Sequence, residues 1–201
     1  SQVSYYYDRI KANYDICDAW RQGALEFIAQ QRPDLVIMGS RNYPFTPEQW
    51  ITGTETVLKR LTPVAGSVII MSPTPDLGFD GPNCLTMKAN VPTWMPHHGR
   101  CETRLDLPSS PGIRQLLAKA ASPYSNVGVI DLSESVCPNA TCRARLSGDI
   151  VFRDSQHLTA SFVLSLASVF EQALDTAGAF QQSQTSPDSL DDSRSTRDTV
   201  Q

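Results

Sequence analysis

The clearest indication of the fold class is the segment Leu35-Val36-Ile37-Met38-Gly39-Ser40. Four aliphatic residues in a row, ended by a glycine and a serine, are typical of a short strand that is buried on both faces of a parallel sheet. A second run of the same kind, Val68-Ile69-Ile70-Met71, follows Gly66. We therefore expect two such strands in the core.

Helical patterns lie between these strands and continue after them. Apolar residues recur on one face over residues 15–31, and Thr46-Pro47-Glu48-Gln49 combines an N-cap threonine, a first-turn proline and a glutamine at the third helical position. The predicted order is helix 15–31, strand 35–38, a helix after Thr46, strand 68–71, a helix capped by Ser109 or Ser110 and opened by Pro111, strand 127–132, and a helix from about Thr159. This alternation predicts a three-layer α/β/α domain with a mostly parallel central sheet. Ligands bind such sheets beyond the carboxyl ends of the strands, so chemistry is expected in the loops there.

Length and composition limit the possible classes of protein. The chain has 201 residues and a mass of 22.1 kDa, enough for one domain with a sizeable core. We expect that domain to occupy residues 1–180 and residues 181–201, which are rich in Ser, Gln, Asp, Thr and Arg, to form a disordered polar tail. Residues 72–110 show no sustained period and are predicted to form a long irregular segment.

Two function classes are excluded by the same numbers. The purely aliphatic runs reach four residues, whereas a membrane helix needs about 20. The net charge of −4 and the pI near 5.3 argue against a surface that binds nucleic acid.

Five cysteines carry information through their positions. Cys84 and Cys101 bracket a proline-rich stretch, and Cys137 and Cys142 close a very short loop. In an oxidising compartment this pattern predicts two local disulfides, with Cys17 either free or joined to a cysteine outside the printed sequence. Five reduced cysteines are the alternative. A zinc site is not expected, because no Cys-x-x-Cys or second suitably spaced Cys/His pair accompanies them.

A carboxylate and an imidazole lie three residues apart in Phe152-Arg153-Asp154-Ser155-Gln156-His157-Leu158-Thr159, directly before the last predicted helix. At this spacing both side chains can lie on one side of a single turn. Asp154 would then orient the imidazole, and His157 would take the proton from a nucleophilic hydroxyl. The alternative is that Asp154 caps the helix and His157 is an ordinary surface residue.

The order of these features resembles the SGNH domain that is fused to acyltransferase family 3 membrane proteins. The resemblance covers about residues 12–176 and rests on the order and spacing of several short motifs. They are Cys17-x-x-Trp20, Arg32-Pro33-Asp34-Leu35-Val36-Ile37 leading to Ser40-Arg41, Pro73-x-Pro75, Cys84-Leu85, Cys101, Val129-Ile130-Asp131-Leu132, Cys137 to Cys142, and Arg153-Asp154-x-x-His157-Leu158-Thr159-Ala160.

The resemblance implies that Asp154 is the acid and His157 the base of a Ser-His-Asp mechanism, because the last motif of the family is Asp-x-x-His. The first motif, Gly-Asp-Ser, carries the nucleophile, and this sequence does not contain it; Gly148-Asp149-Ile150 lacks the serine. We therefore expect that the first strand and the catalytic serine have been cut off and that this chain by itself is inactive.

The loop after the first predicted strand matches the third motif of the family only in part. Family members have Gly-x-Asn-Asp there, whereas this chain has Gly39-Ser40-Arg41-Asn42. Ser40 or Arg41 is expected to contact the oxyanion or the substrate. Ser40 is also the alternative nucleophile, since it follows a strand at its carboxyl end, and a purely structural loop is the third option.

On this basis we expect an extracytoplasmic O-acyltransferase domain, tethered to a membrane within its parent protein, that modifies an envelope glycan or glycolipid. Acetyl is the acyl group expected, handed over by the membrane-embedded acyltransferase domain of the same parent chain. No metal, dissociable cofactor or nucleic acid is expected. The alternatives are a secreted SGNH/GDSL esterase, in which water accepts the acyl group, and a non-catalytic carbohydrate-binding module on the same fold.

Overall fold

A computed structural model of the chain describes residues 6–7, 9, 11–13, 15–90, 100–105 and 112–180. Its elements, in chain order, are β1 (Tyr6–Tyr7), β2 (Ala12–Asn13), α1 (Asp15–Gln31), β3 (Leu35–Gly39), α2 (Pro47–Leu61), β4 (Ser67–Met71), α3 (Gly81–Ala89), β5 (Glu102–Arg104), α4 (Ile113–Ala121), β6 (Val127–Ile130), α5 (Ser133–Val136), a 3₁₀ turn (Pro138–Ala140), β7 (Thr141–Arg143), β8 (Arg145–Leu146), β9 (Asp149–Ile150), α6 (Ala160–Ser165) and α7 (Ala167–Thr176). None of the helices in this part of the chain is both long and apolar enough to cross a bilayer. The predicted tail at 181–201 lies outside the described residues.

The centre of the fold is a parallel sheet with the strand order β3-β4-β6. Gly39 pairs with Met71, and Met71 pairs with Ile130, so the three strands end level at their carboxyl side. Helices α1, α2 and α4 pack on one face of the sheet, and α7 packs on the other. The predicted three-layer α/β/α architecture with a parallel central sheet is confirmed.

Strand β4 forms the centre of the core because it has a neighbouring strand on each side. Val68, Ile69 and Ile70 are each at most 2% exposed. Successive side chains of a strand point to opposite faces, so Val68 and Ile70 contact the helices α2 and α4, and Ile69 contacts α7. On the α7 side, Gly128 of β6 permits a close approach, since a Cβ there would collide with the carbonyl oxygen of Ala177.

Strand β3 lies at the edge of the sheet, which corrects the prediction that it is buried on both faces. Among the strands of the described residues, none pairs with its outer edge. Val36 is buried on the α2 side, but Ile37 points to the other face and is 43% exposed. The reason is that the cluster on the α7 side forms around Ile69 and Ile130, and Ile37 does not belong to it.

Helix α1 has the predicted bounds but only half of the predicted buried face. Leu25 and Ile28 pack into the cluster under α2, whereas Ile16 and Trp20 are 78% and 71% exposed. Phe27 is also exposed and shares the face of Ile16 and Trp20 at helical spacing. The helix therefore carries a second apolar face that none of the described elements covers.

The segment 72–110, predicted to be irregular, contains helix α3 and strand β5. Helix α3 follows Asp80, whose carboxylate accepts the backbone N–H of Asn83 at 2.8 Å, and it has a proline in its first turn. These are ordinary start signals that the sequence contained. Strand β5 pairs with β7, which lies about 40 residues further along the chain and could not be found from local pattern.

Helix α4 and the last helix each differ from the prediction in one respect. Helix α4 has Gly112 as its N-cap instead of Ser109 or Ser110, and these two residues lie outside the described part of the chain. The last helix begins after Thr159, as predicted, but breaks at Leu166 into α6 and α7.

Both predicted disulfides are confirmed. Cys84 is bonded to Cys101, and Cys137 is bonded to Cys142. In the described part of the chain Cys17 has no disulfide partner.

Candidate active site

The turn from Asp154 to His157 is organised by the Asp154 carboxylate. Its Oδ1 accepts the backbone N–H of Gln156 at 2.8 Å and that of His157 at 2.7 Å. Aspartate forms such turns readily, because its short side chain reaches amides two and three residues ahead. The N–H of Arg153 donates to the carbonyl oxygen of His157 at 2.9 Å and closes the turn.

The second oxygen of Asp154 orients the imidazole. Oδ2 lies 2.8 Å from Nδ1 of His157. A carboxylate can only accept a hydrogen bond, so Nδ1 carries the proton and the neutral ring has a free lone pair at Nε2. No side chain of the described residues bonds Nε2, and the His157 side chain is 64% exposed. The pair can therefore receive a proton from a hydroxyl that approaches from outside.

Hydrogen bonds to Asp154 hold the pKa of its carboxyl far below the usual range. The backbone N–H of His157 has the largest effect, followed by the N–H of Gln156 and by the imidazole itself. Each of these bonds favours the ionised form. Asp154 is thus a carboxylate at neutral pH, and it can stabilise the imidazolium that forms when Nε2 takes a proton.

Backbone contacts on both sides anchor the turn. Val151 and Phe152, directly before it, are fully buried. After it, the N–H of Thr159 donates to the carbonyl oxygen of Val151 at 2.9 Å. The carbonyl oxygen of Ser155 accepts the N–H of Leu77 at 2.9 Å, which ties the turn to the loop that follows β4. The turn is therefore anchored to buried backbone on both sides, while the Asp154 carboxylate sets its internal geometry.

The two disulfides belong to the core beneath this turn. Cys101, Cys137 and Cys142 are buried in one cluster with Phe152 and Leu77. Because these half-cystines share a buried cluster with Phe152 and Leu77, both disulfides are part of the core that supports the turn.

Ser40 and Arg41 lie in the loop directly after β3. Since the strands end level, Ser40 is near the same edge of the sheet as Ser72, which follows β4, and Asp131, which follows β6. Among the described residues no hydrogen bond or ion pair joins Ser40 or Arg41 to the Asp154–His157 turn. Their contact with an oxyanion or a substrate stays a prediction.

Beside the turn lies an apolar cavity that sequence reasoning did not find. Its volume is about 420 Å³, and it opens where β4 and β6 end, below α6 and α7. Its lining is mainly apolar and includes Met71, Ile130, Leu132, Leu158, Leu166 and Phe170. Ser72 also lines it, and its hydroxyl is buried without a hydrogen-bond partner among the described residues. The sequence signal was weak, because these residues come from four separate segments.

Metal ligation is not offered by this part of the molecule. Within the described ranges, no three His, Cys, Asp or Glu side chains lie close enough together to hold a metal ion.

Comparison with known proteins identifies a matching family and a solved structure with a similar fold. Residues 3–172 match the SGNH domain that is fused to AT3 domains. A solved structure with a similar fold is the periplasmic domain of the lipopolysaccharide acetyltransferase of Salmonella ser. Paratyphi A, at 14% sequence identity and a TM-score of 0.51. The aligned region covers 76% of this chain and 62% of that domain, so the chain spans less than two thirds of its length. No curated protein matches the chain significantly.

The family match covers most of the described α/β domain and ends within α7. It includes the Asp154–His157 turn, the cysteines of both disulfides and the three strands of the sheet. The chain therefore belongs to the SGNH domain family of the kind that is fused to AT3 domains.

Proposed function

We propose that this domain is the extracytoplasmic catalytic part of an O-acyltransferase that modifies an envelope glycan or glycolipid. The observation that carries the proposal is the Asp154–His157 hydrogen bond, which leaves Nε2 of the ring free at the edge of the domain. A carboxylate that orients a neutral imidazole in this way is what a serine nucleophile needs for activation.

The reaction has two steps, and in each of them His157 takes a proton from the attacking hydroxyl and gives it to the departing oxygen. The serine hydroxyl attacks the carbonyl carbon of an acyl ester while Nε2 takes its proton. The C–O bond to the alcohol then breaks, and Nε2 returns the proton to the departing oxygen. In the second step a sugar hydroxyl attacks the acyl-serine, gives its proton to Nε2, and the serine oxygen leaves and recovers that proton. Asp154 stabilises the imidazolium in both steps.

The serine is proposed to enter on an additional strand at the free edge of β3. Two observations support this placement: Ile37 on β3 is exposed, and none of the described elements covers the apolar face of α1. Edge strands and apolar faces of this kind are normally covered. A strand at this edge would end beside Ser40 and Arg41, whose polar groups could then contact the oxyanion. On this proposal the printed chain alone is inactive, and Ser40 is not the nucleophile.

The family match suggests the partner domain that donates the acyl group. Members of this family are fused to AT3 domains, and we propose that the membrane-embedded acyltransferase domain of the parent protein supplies the acyl group. The domain itself would then lie on the outer side of that membrane.

Hydrolysis is the second candidate activity. The 64% exposure of the His157 side chain favours it, because water reaches Nε2 as easily as a sugar hydroxyl does. The two activities differ only in the acceptor of the second step.

The test uses the parent protein with its serine, incubated with an aryl acyl ester and quenched within the first turnover. Mass spectrometry should find one acyl group on a serine outside the printed chain. Addition of an acceptor glycan should then shift the product from the free acid to the acylated sugar. Acylation of Ser40, abolished by Ser40→Ala, would contradict the proposal, and release of acid alone at every glycan concentration would favour the esterase.

A further inference from the structure

We propose that the apolar cavity beside the Asp154–His157 turn binds the aliphatic chain of the acyl group, so that the ester substrate carries an acyl group of several carbons, longer than acetyl. This inference rests on the proposed acyl-transfer function and narrows its substrate class.

The position of the cavity connects it with the turn. Leu158 lines the cavity and follows His157 directly in the chain, so the wall begins one residue from the imidazole. Ser72 and Leu132, which follow β4 and β6, form its floor. The cavity thus lies at the carboxyl ends of two neighbouring parallel strands, where sheets of this class bind their ligands.

The residues that line the cavity favour a hydrocarbon ligand. No charged side chain lines the cavity, and the three polar residues in its lining carry only hydroxyl groups: Ser72, Thr74 and Ser133. A sugar ring would need several convergent polar partners there, whereas an alkyl chain needs none. The volume of about 420 Å³ lies within the range of about 300–1,000 Å³ that is usual for small-molecule pockets. An acetyl group would leave most of this space unfilled.

The additional strand proposed above does not fill the cavity. That strand would pair with the outer edge of β3, whereas the cavity lies at the ends of β4 and β6. Neighbouring strands are about 4.8 Å apart, so two strand spacings separate the new strand from β4. Neither that strand nor the described residues fill the cavity, which is therefore open to a ligand on this proposal.

Binding can be measured on the 201-residue chain, because it needs no nucleophile. The chain would be titrated with the straight-chain carboxylates from acetate to octanoate, and the Leu, Val and Ile methyl resonances would be followed by NMR. We expect the dissociation constant to fall roughly fourfold for each added methylene, with shifts at Leu158 and Val163. Equal or undetectable binding across the series would overturn the proposal.

Ala167→Trp tests whether the cavity is the place of binding. Ala167 is on the wall and exposed, so the indole can block the mouth without disturbing the core. Octanoate affinity should fall at least tenfold. The matched control is Ala118→Trp, at an exposed position of α4 on the opposite face of the sheet, which should leave affinity unchanged. Leu164→Gln, at another exposed wall position, should weaken binding in the same direction. Equal loss in Ala118→Trp and Ala167→Trp would overturn the assignment.

Two further measurements separate this inference from the proposed function. In the parent protein, kcat/KM for aryl esters should rise from acetyl to hexanoyl. Ala167→Trp should remove this rise, whereas Ala118→Trp should retain it. His157→Gln should stop turnover of every ester yet leave octanoate binding intact. Turnover that depends on His157 without any preference for chain length would overturn the inference alone. Tighter binding of octyl glucoside than of octanoate would assign the cavity to an acceptor lipid and overturn it as well.

Discussion

Asp154 uses its two oxygens for two different tasks. Oδ1 holds the backbone turn through the amides of Gln156 and His157, and Oδ2 holds the imidazole. Because one carboxylate fixes both the loop and the ring, the ring orientation is set as soon as the turn forms. This makes Asp154 the residue at which structural and catalytic roles can be separated by substitution.

Asp154→Asn separates them. The amide keeps an oxygen that can accept the two backbone N–H groups, so the turn should survive, but its NH₂ group opposes the N–H at Nδ1 and favours the wrong tautomer. We expect kcat of the parent protein to fall by about 10³- to 10⁴-fold. Steady-state kinetics with an aryl ester measures the loss. Asp149→Asn, at an exposed position nearby, is the matched control and should change kcat less than twofold. A loss below tenfold in Asp154→Asn would contradict the assigned role.

The lowered pKa of Asp154 gives a second prediction at this scale. The folded-state pKa lies below the unfolded value of about 3.9, so the stabilising effect of this group is fully present above that value. It is lost as the pH falls from about 4 through the lowered folded-state pKa. The thermal midpoint of the wild type should therefore exceed that of Asp154→Asn at pH 6 and approach it as the solution is acidified below pH 4. A difference that grows on acidification would have the wrong sign.

The Asp154–His157 pair could be predicted from the sequence because its geometry is local. Three residues separate the partners, and the turn follows from the chemistry of the aspartate itself. The cavity could not be predicted, because Ser72, Leu132 and Leu158 meet only after the sheet and the last helix have packed. Whether Ser40 or Arg41 contacts an oxyanion depends on the position of the serine, and that stays a prediction.

Among the elements, helix α6 follows the turn after Leu158 and Thr159, and the Thr159 side chain makes two contacts there. Thr159 accepts the N–H of Phe162 as N-cap, and its hydroxyl donates to the carbonyl oxygen of Ile150 at 2.5 Å. The same side chain therefore starts the helix and connects it with β9.

Thr159→Ala should lower the free energy of unfolding by about 1 kcal/mol through the loss of the cap. The control is Thr176→Ala, whose hydroxyl bonds only the carbonyl of Gln172 on the exposed side of α7, and it should change stability by less than about 0.5 kcal/mol. Chemical denaturation measures both. Equal effects of the two substitutions would show that the cap is not the source of the stability.

The disulfides differ in the length of chain that they close, 17 and 5 residues apart in sequence. In the chain-entropy model, replacing Cys84 and Cys101 by serine should cost about 3 kcal/mol, and replacing Cys137 and Cys142 about 2 kcal/mol. Denaturation of the two double variants under the same conditions measures this difference. The reverse order of stability would contradict it.

Some helices and strands could be predicted from sequence patterns, and others could not. Helix α2 was predictable, because its capping box is contained in Thr46-Pro47-Glu48-Gln49, and both expected hydrogen bonds form. Helix α3 was missed although Asp80 and Pro82 signal its start, because it has no long periodic apolar face. The edge position of β3 could not be read from Leu35–Gly39, since the number of neighbours of a strand is a property of the sheet.

In the whole molecule, two apolar surfaces are covered by none of the described elements: the outer edge of β3 with Ile37, and the face of α1 that carries Ile16, Trp20 and Phe27. Each lies on an element whose other side is packed into the core. Surfaces of this kind usually take part in contacts. We propose that the edge of β3 receives the strand that carries the serine.

Ile37→Lys tests this use of the edge. A lysine at a 43% exposed position should change the stability of the 201-residue chain by less than about 1 kcal/mol. In the parent protein, however, the charge would oppose the added strand, and esterase activity should fall more than tenfold. Ile51→Lys on α2, at a partly buried position on the other side of the sheet, is the comparison and should destabilise both proteins. Full activity of Ile37→Lys in the parent protein would place the serine elsewhere.

The role of His157 is tested by comparing the turnover of an aryl acyl ester by the parent protein with His157 intact and with His157→Gln. The Asp154–His157 pair is proposed to move a proton in both chemical steps, so we expect a loss of at least about 10³-fold in kcat with an unchanged circular dichroism spectrum. Turnover of the folded variant at the wild-type rate would contradict it.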